Sequence, residues 1–224
     1  MAEQMEGGRG RSGCRRTLIW ALGVSFLVTL VVMWIYRPAP SEPVNPSNSA
    51  GGSEQFTAWS DSTVFPTSLD EGPTAQAAYA TARDTALAWQ PDAQPAIVSA
   101  HWRPRADGHW PTMVVWSFQF YSPGTQRVAV IAVDGGQAQL LQDTLSPYVL
   151  STFDETMWQV DSLMALEVWW EEGGAFFAAS HPSVDLTAQL RISQESGRLV
   201  WTVIGVSGGQ MRRVMVDGVT GEQL

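Results

Sequence analysis

Gly205-Val206-Ser207-Gly208-Gly209 spells Gly-x-Ser-x-Gly, the pattern that seats the nucleophile of serine hydrolases. That chemistry needs a strand-to-helix turn at the serine, then an acid and a histidine later in the chain. Here the flanks WTVIGV and MRRVMVD both read as strands, and no histidine follows Ser207. A hairpin turn is the reading these residues support. The three histidines, His101, His109 and His181, are not spaced as a metal-ligand set. His101 falls on the alternate face of a strand from Val98, Ala100 and Trp102, while His109 lies in a Gly-containing loop and His181 precedes Pro182. Glu171 and Glu172 adjoin at a helix end, whereas paired acids for glycoside cleavage must face each other across a cleft. No catalytic residue, metal site or cofactor is expected, and no phosphate loop or dinucleotide fingerprint occurs.

The 11 tryptophans remain as the residues that could carry recognition. Trp116 and Trp201 each open an alternating strand and are expected in the core. Trp110 and Trp169 are the candidates for a ligand or partner surface.

Positioning these residues requires regular elements. An Ala-rich run from Thr74 places Tyr79, Ala82, Ala86 and Trp89 at helical spacing, with Thr74 as N-cap and Pro91 as stop. Strands follow over 96–103, 112–121 and 127–133, the middle one alternating Val114, Trp116, Phe118 and Phe120 with Val115, Ser117, Gln119 and Tyr121. A second helix over 161–170 ends at Gly173-Gly174, and strands are expected over 184–192, 199–206 and 212–216. WSFQFYS from Trp116 can be laid over WTVIGVS from Trp201, and each is followed by a Gly turn and a strand ending Val-Asp-Gly. An internal duplication follows from this order.

Charge divides the chain. The first 16 residues hold four Arg against two Glu, whereas 8 Arg face 20 Asp and Glu after Arg37. All 13 basic residues are Arg, as GC-rich bacterial coding would give. So acidic a domain excludes nucleic acid as its partner. Residues 17–36, TLIWALGVSFLVTLVVMWIY, carry no charge, and a helix of 20 residues matches a hydrocarbon core of ~30 Å. This core exceeds the ~7–15 residues of a cleaved signal peptide. The basic cluster ahead of it predicts a cytoplasmic N-terminus and an extracytoplasmic C-terminal domain at the cell membrane. Ala21, Ser25 and Thr29 offer a small-residue face for homodimerisation in the bilayer. Cys14, the single cysteine, precedes this segment, so the outer domain forms no internal disulfide. A Pro-, Ser- and Gly-rich linker is expected over 37–69.

Two consecutive units, 70–145 and 146–224, resemble PepSY-type modules of peptidase propeptides. The carrier of the resemblance is VMVDGVTGEQL, whose Asp217, Thr220 and Gly221 match that family's closing Asp-x-x-Thr-Gly turn. The first unit departs from it, with Gly-Gln-Ala after Val133-Asp134-Gly135. The expected class is thus α+β: a transmembrane helix, then two units of one helix and a three-stranded antiparallel sheet. The resemblance implies a non-enzymatic binding or regulatory module for an envelope protein or peptidase. A small-ligand-binding sensory ectodomain is the alternative. The turn residues themselves read as structural.

Overall fold

The computed structural model describes residues 65–181 and 183–224. The basic tail, the apolar segment 17–36 and the linker up to 64 lie outside the described residues. Among the described residues no helix is long and apolar enough to cross a membrane. The elements are α1 (Thr67–Asp70), α2 (Ala75–Trp89), β1 (Gln94–Trp102), β2 (Trp116–Ser122), β3 (Arg127–Asp134) and β4 (Gln137–Leu145). A single 3-10 turn at Glu155–Met157 leads into α3 (Ser162–Trp169), a widened turn at Trp170–Gly174, α4 (Ala175–Ser180), β5 (Asp185–Ile192), β6 (Leu199–Ser207) and β7 (Gln210–Asp217). Within the stretch expected as linker, Thr67–Asp70 forms a helical turn that buries Leu69.

The seven strands form one antiparallel sheet in the order β4-β3-β2-β1-β5-β6-β7. This corrects the expected pair of PepSY-like units with separate three-stranded sheets. Separate sheets would each leave a bare edge at β1 or β5, with backbone donors and acceptors open to unwanted pairing. Those two edges instead pair with each other, from Ile97↔Arg191 to Trp102↔Leu186. The expected division at 145/146 consequently falls inside one continuous core. The unexpected strand β4 follows from Gly135 and Gly136, whose φ values of 52° and 79° make a two-residue hairpin turn.

The pairings repeat about a pseudo-two-fold axis at Ser99↔Gln189. Trp116 pairs with Ala100 and with Val133. Trp201 correspondingly pairs with Leu190 and with Val216. Even the indole hydrogen bonds repeat: Trp116 Nε1 donates to Pro73 O and Trp201 Nε1 to Val160 O, both at 2.8 Å. Each acceptor immediately precedes the N-cap of a helix, Thr74 for α2 and Asp161 for α3.

All the helix–sheet packing lies on one face. Small Ala78, Ala82 and Ala86 let α2 approach the aromatic side chains of β2, and Tyr79 stacks on Phe120 with ring centroids 6.0 Å apart. Edge-on contacts run from Trp102 through Trp116, Trp201 and Trp158 to Tyr79, joining both halves of the sheet. The N-termini of α2 and α3 meet near the axis. Asp161 Oδ1 accepts from Ser162 N at 2.6 Å and from Gln76 N at 3.1 Å, so one carboxylate serves the positive ends of two helices.

Asp161→Ala is therefore expected to cost ~2 kcal/mol in urea unfolding, more than Thr74→Ala, which removes a cap from one helix only. Gly205 faces Trp169: a Cβ there would stand 2.6 Å from the indole Cζ2. Gly205→Ala should cost ~2 kcal/mol by overpacking. Asp92 accepts from Ser122 Oγ at 2.6 Å and Gly124 N at 2.7 Å, and the serine bond, first among its causes, holds its carboxyl below the ordinary value of 3.8. A depressed folded pKa contributes stability above the unfolded value and loses it as pH falls through the folded one. The melting-temperature gap between wild type and Asp92→Asn should accordingly be present at pH 7 and shrink below about pH 4.

Candidate functional site

The face of the sheet opposite the helices has no covering element among the described residues. Its middle row runs Gln139, Ala132, Ser117, Ser99, Gln189, Thr202, Met215 across all seven strands. The flanking rows run Gln119, Ile97, Arg191 on one side and His101, Thr187, Ile204, Arg213 on the other, so cations border the neutral middle row. Ser99, Ser117, Gln119, Thr187, Gln189 and Thr202 are half-buried, short or neutral, and none is charged. Formal charge on β1 and β5 is confined here to the strand ends, at Asp185 and Arg191. The contrast is with residues 65–224 as a whole, which hold 17 Asp and Glu against 8 Arg. A broad face depleted of charge within an acidic domain has the composition of an interface centre.

A cleft of 710 Å³ lies elsewhere, beside α1, the β1–β2 loop and α4. Trp110 and Trp170 form part of its wall, with centroids 6.3 Å apart and nearly perpendicular planes. Arg105, Asp107 and His109 stand exposed at the rim, on a tight loop closed by Arg105 N donating to His109 O and His109 N donating to Asp107 Oδ1. A second hollow of 300 Å³ is lined by Tyr79, Arg83, Phe120, Phe153 and Glu155. Its polar groups satisfy each other: Arg83 Nε lies 3.0 Å from Glu155 Oε2, to which Tyr79 Oη also donates. Burial, then the Glu155 charge, pushes the Tyr79 phenol well above its ordinary range.

Trp169, expected on a surface patch, is instead 0% exposed, its indole donating to Arg212 O. The reason is packing: its neighbours Gly174 and Gly205 have no side chains, which leaves the space that its ring fills. Trp110 is also buried, at 9% exposure, with Nε1 donating to Val184 O at 2.7 Å. Neither tryptophan belongs to a flat exposed patch, and the two are not a joint surface. Asp217, Thr220 and Gly221 form a closed turn. Asp217 Oδ1 accepts from Val219 N and Thr220 N, Gly221 N donates to Asp217 O, and Gly221 has φ 79°. Ser207 ends β6 before Gly208 and Gly209, both with positive φ, in a hairpin to Gln210.

No family model matches this chain, and no curated protein does. The PepSY-type resemblance therefore gains nothing from comparison. A solved structure of a lipoprotein candidate from Clostridium difficile 630 is similar over 65% of this chain and 89% of its own, with a TM-score of 0.45 and 14% identity. Neither fold nor activity is carried over from a match at that level.

His109 and His181 both line a hollow of 150 Å³ with Trp110 and Val184, whereas His101 lies on β1 outside it; the His181 ring sits against Phe177, with centroids 4.3 Å apart. Among the described residues no group of three or more His, Cys, Asp and Glu could hold a metal ion. The neutral face escaped sequence reasoning because Ser, Thr and Gln alternating with apolar residues read as an ordinary solvated face. Only the absence of charge along β1, β2 and β6, and from the middle of β5, could have marked it.

Trp169→Ala should lower stability by ~4 kcal/mol as a core truncation. Gln189→Ala, on the open face, should stay within ~0.5 kcal/mol. Thermal and urea unfolding of the two variants checks both values.

Proposed function

We propose that this chain is a membrane-anchored, extracytoplasmic binding module that holds an envelope protein or peptide against the open face of its sheet. One observation carries the reading: the seven-stranded face with an uncharged centre around Ser99 and Gln189. Such a face can exclude water from a partner without the desolvation cost of unpaired charges. The uncharged segment 17–36 supports single-pass anchoring, and the Arg cluster ahead of it supports a cytoplasmic N-terminus. On this reading the domain regulates by occupying a partner and performs no reaction of its own.

The 710 Å³ cleft at Trp110 favours the second reading, a small-ligand sensor, since its volume suits a small molecule. Photo-crosslinkers placed at Gln119 and Gln189 of the full chain, in its own membranes, separate the two. The expected result is a discrete protein adduct from both positions and none from Asp84 on α2. Gln189→Glu should cut its yield at least tenfold, ~1.4 kcal/mol of affinity, with the melting temperature retained. Adducts absent from the sheet face would overturn the binding-module reading in favour of the cleft.

A further inference from the structure

The two outer edges of the sheet are finished differently. The edge at β7 is closed by the chain itself: Asp217 N donates to Glu222 O, Leu224 N to Met215 O, and Val216 bridges to Gln223. The edge at β4 has no backbone partner among the described residues, although the strand runs nine residues, from Gln137 to Leu145. It contains no Pro or Lys to blunt that edge, which is interrupted only by the extra residue Leu141 and the single charge of Asp143. Exposed apolar side chains gather there, with Leu141 59%, Leu145 66%, Tyr148 76% and Val149 79% exposed. In a domain with an excess of acid, β4 carries one charge, Asp143, and Arg127 Nε lies 2.7 Å from its Oδ1. Of the two outer strands, β4 therefore carries less unmatched charge than β7, which holds Arg212, Arg213 and Asp217.

We propose that β4 pairs antiparallel with β4 of a second copy, giving an isologous two-fold dimer with a continuous sheet. The fold already contains a junction of this kind. At the internal axis, β1 and β5 join edge to edge with the helices of both halves on one side, and β1 does so beyond an irregularity at Pro95/Ile97. β4 has its own irregularity opposite Val130/Ile131, where Leu141 is the extra residue. Pairing centred on Leu141 sets Leu141 against itself across the dyad and Asp143 against neutral Gln139, so no like charges oppose one another. On the membrane-anchored reading proposed above, two copies tethered to one membrane would meet at raised effective concentration.

The test uses the full chain in detergent micelles, with Cys14→Ser as background. Leu141→Cys under mild oxidation should give a disulfide-linked dimer, because opposed residues on a dyad bring their Cβ atoms within bonding range. Met211→Cys, as exposed but on β7, should give none. Leu141→Lys with Leu145→Lys should shift the light-scattering mass from dimer to monomer, with the melting temperature retained. A monomer before substitution overturns the proposal. So does a dimer that survives the lysines, or one that cross-links equally from position 211, because association would then lie elsewhere, for example in the segment 17–36.

Discussion

The ladder between β1 and β5 is the interaction on which the rest of this structure depends. Without it, each half would be a small sheet with an exposed edge and one supporting helical element, a size at which core burial barely offsets chain entropy. With it, the aromatic side chains of both halves lie on one continuous face. Trp116 and Trp201 come within 6.4 Å across the axis. The meeting of the two helix N-termini is a consequence, since strands related by the axis carry their preceding helices to the same place. Two positive helix ends in proximity would repel, and Asp161 offsets this with a carboxylate shared between them.

Local features were legible in the sequence wherever the pattern was strong. Thr74 reads as an N-cap, and its Oγ1 accepts from Ala77 N. Val184 to Ile192 alternates so regularly that the face of each side chain could be assigned, and Leu186, Ala188 and Leu190 are buried. β4 was illegible because QAQLLQDTL neither alternates nor buries its residues: an edge strand needs only hydrogen bonds from one neighbour and a turn. The single sheet was illegible for a different reason. Nothing in β1 or β5 distinguishes pairing with a neighbour in sequence from pairing with a strand about 90 positions away, because both satisfy the same alternation.

The surface readings failed in an instructive direction. Trp169 reads from the sequence as a candidate for a surface patch, but the glycines at 174 and 205 leave space for its ring in the core. Both glycines were visible in the sequence. What was not visible is that the chain brings Gly205 of β6 beneath a helix end more than thirty residues earlier. The site now favoured leaves no mark on any single residue. Its character belongs to the set: six uncharged side chains on four adjacent strands, in a domain where acids outnumber bases two to one.

That distribution of charge bears on what such a domain can bind. The net field of so acidic a domain opposes contact with a second copy or with anionic lipid, so a contact surface is favoured where that field is locally cancelled or absent. Both regions argued to engage partners meet this condition, by separate means. On the open face the charges are missing from the centre, and on β4 the sole carboxylate is matched by Arg127. The cleft beside Trp110 does not: Arg105, Asp107 and His109 line it with charges of both signs, and a ligand that covers any of them must replace its water. Burial of polar groups without matched partners is what makes recognition expensive, and it ranks the neutral face above the larger hollow.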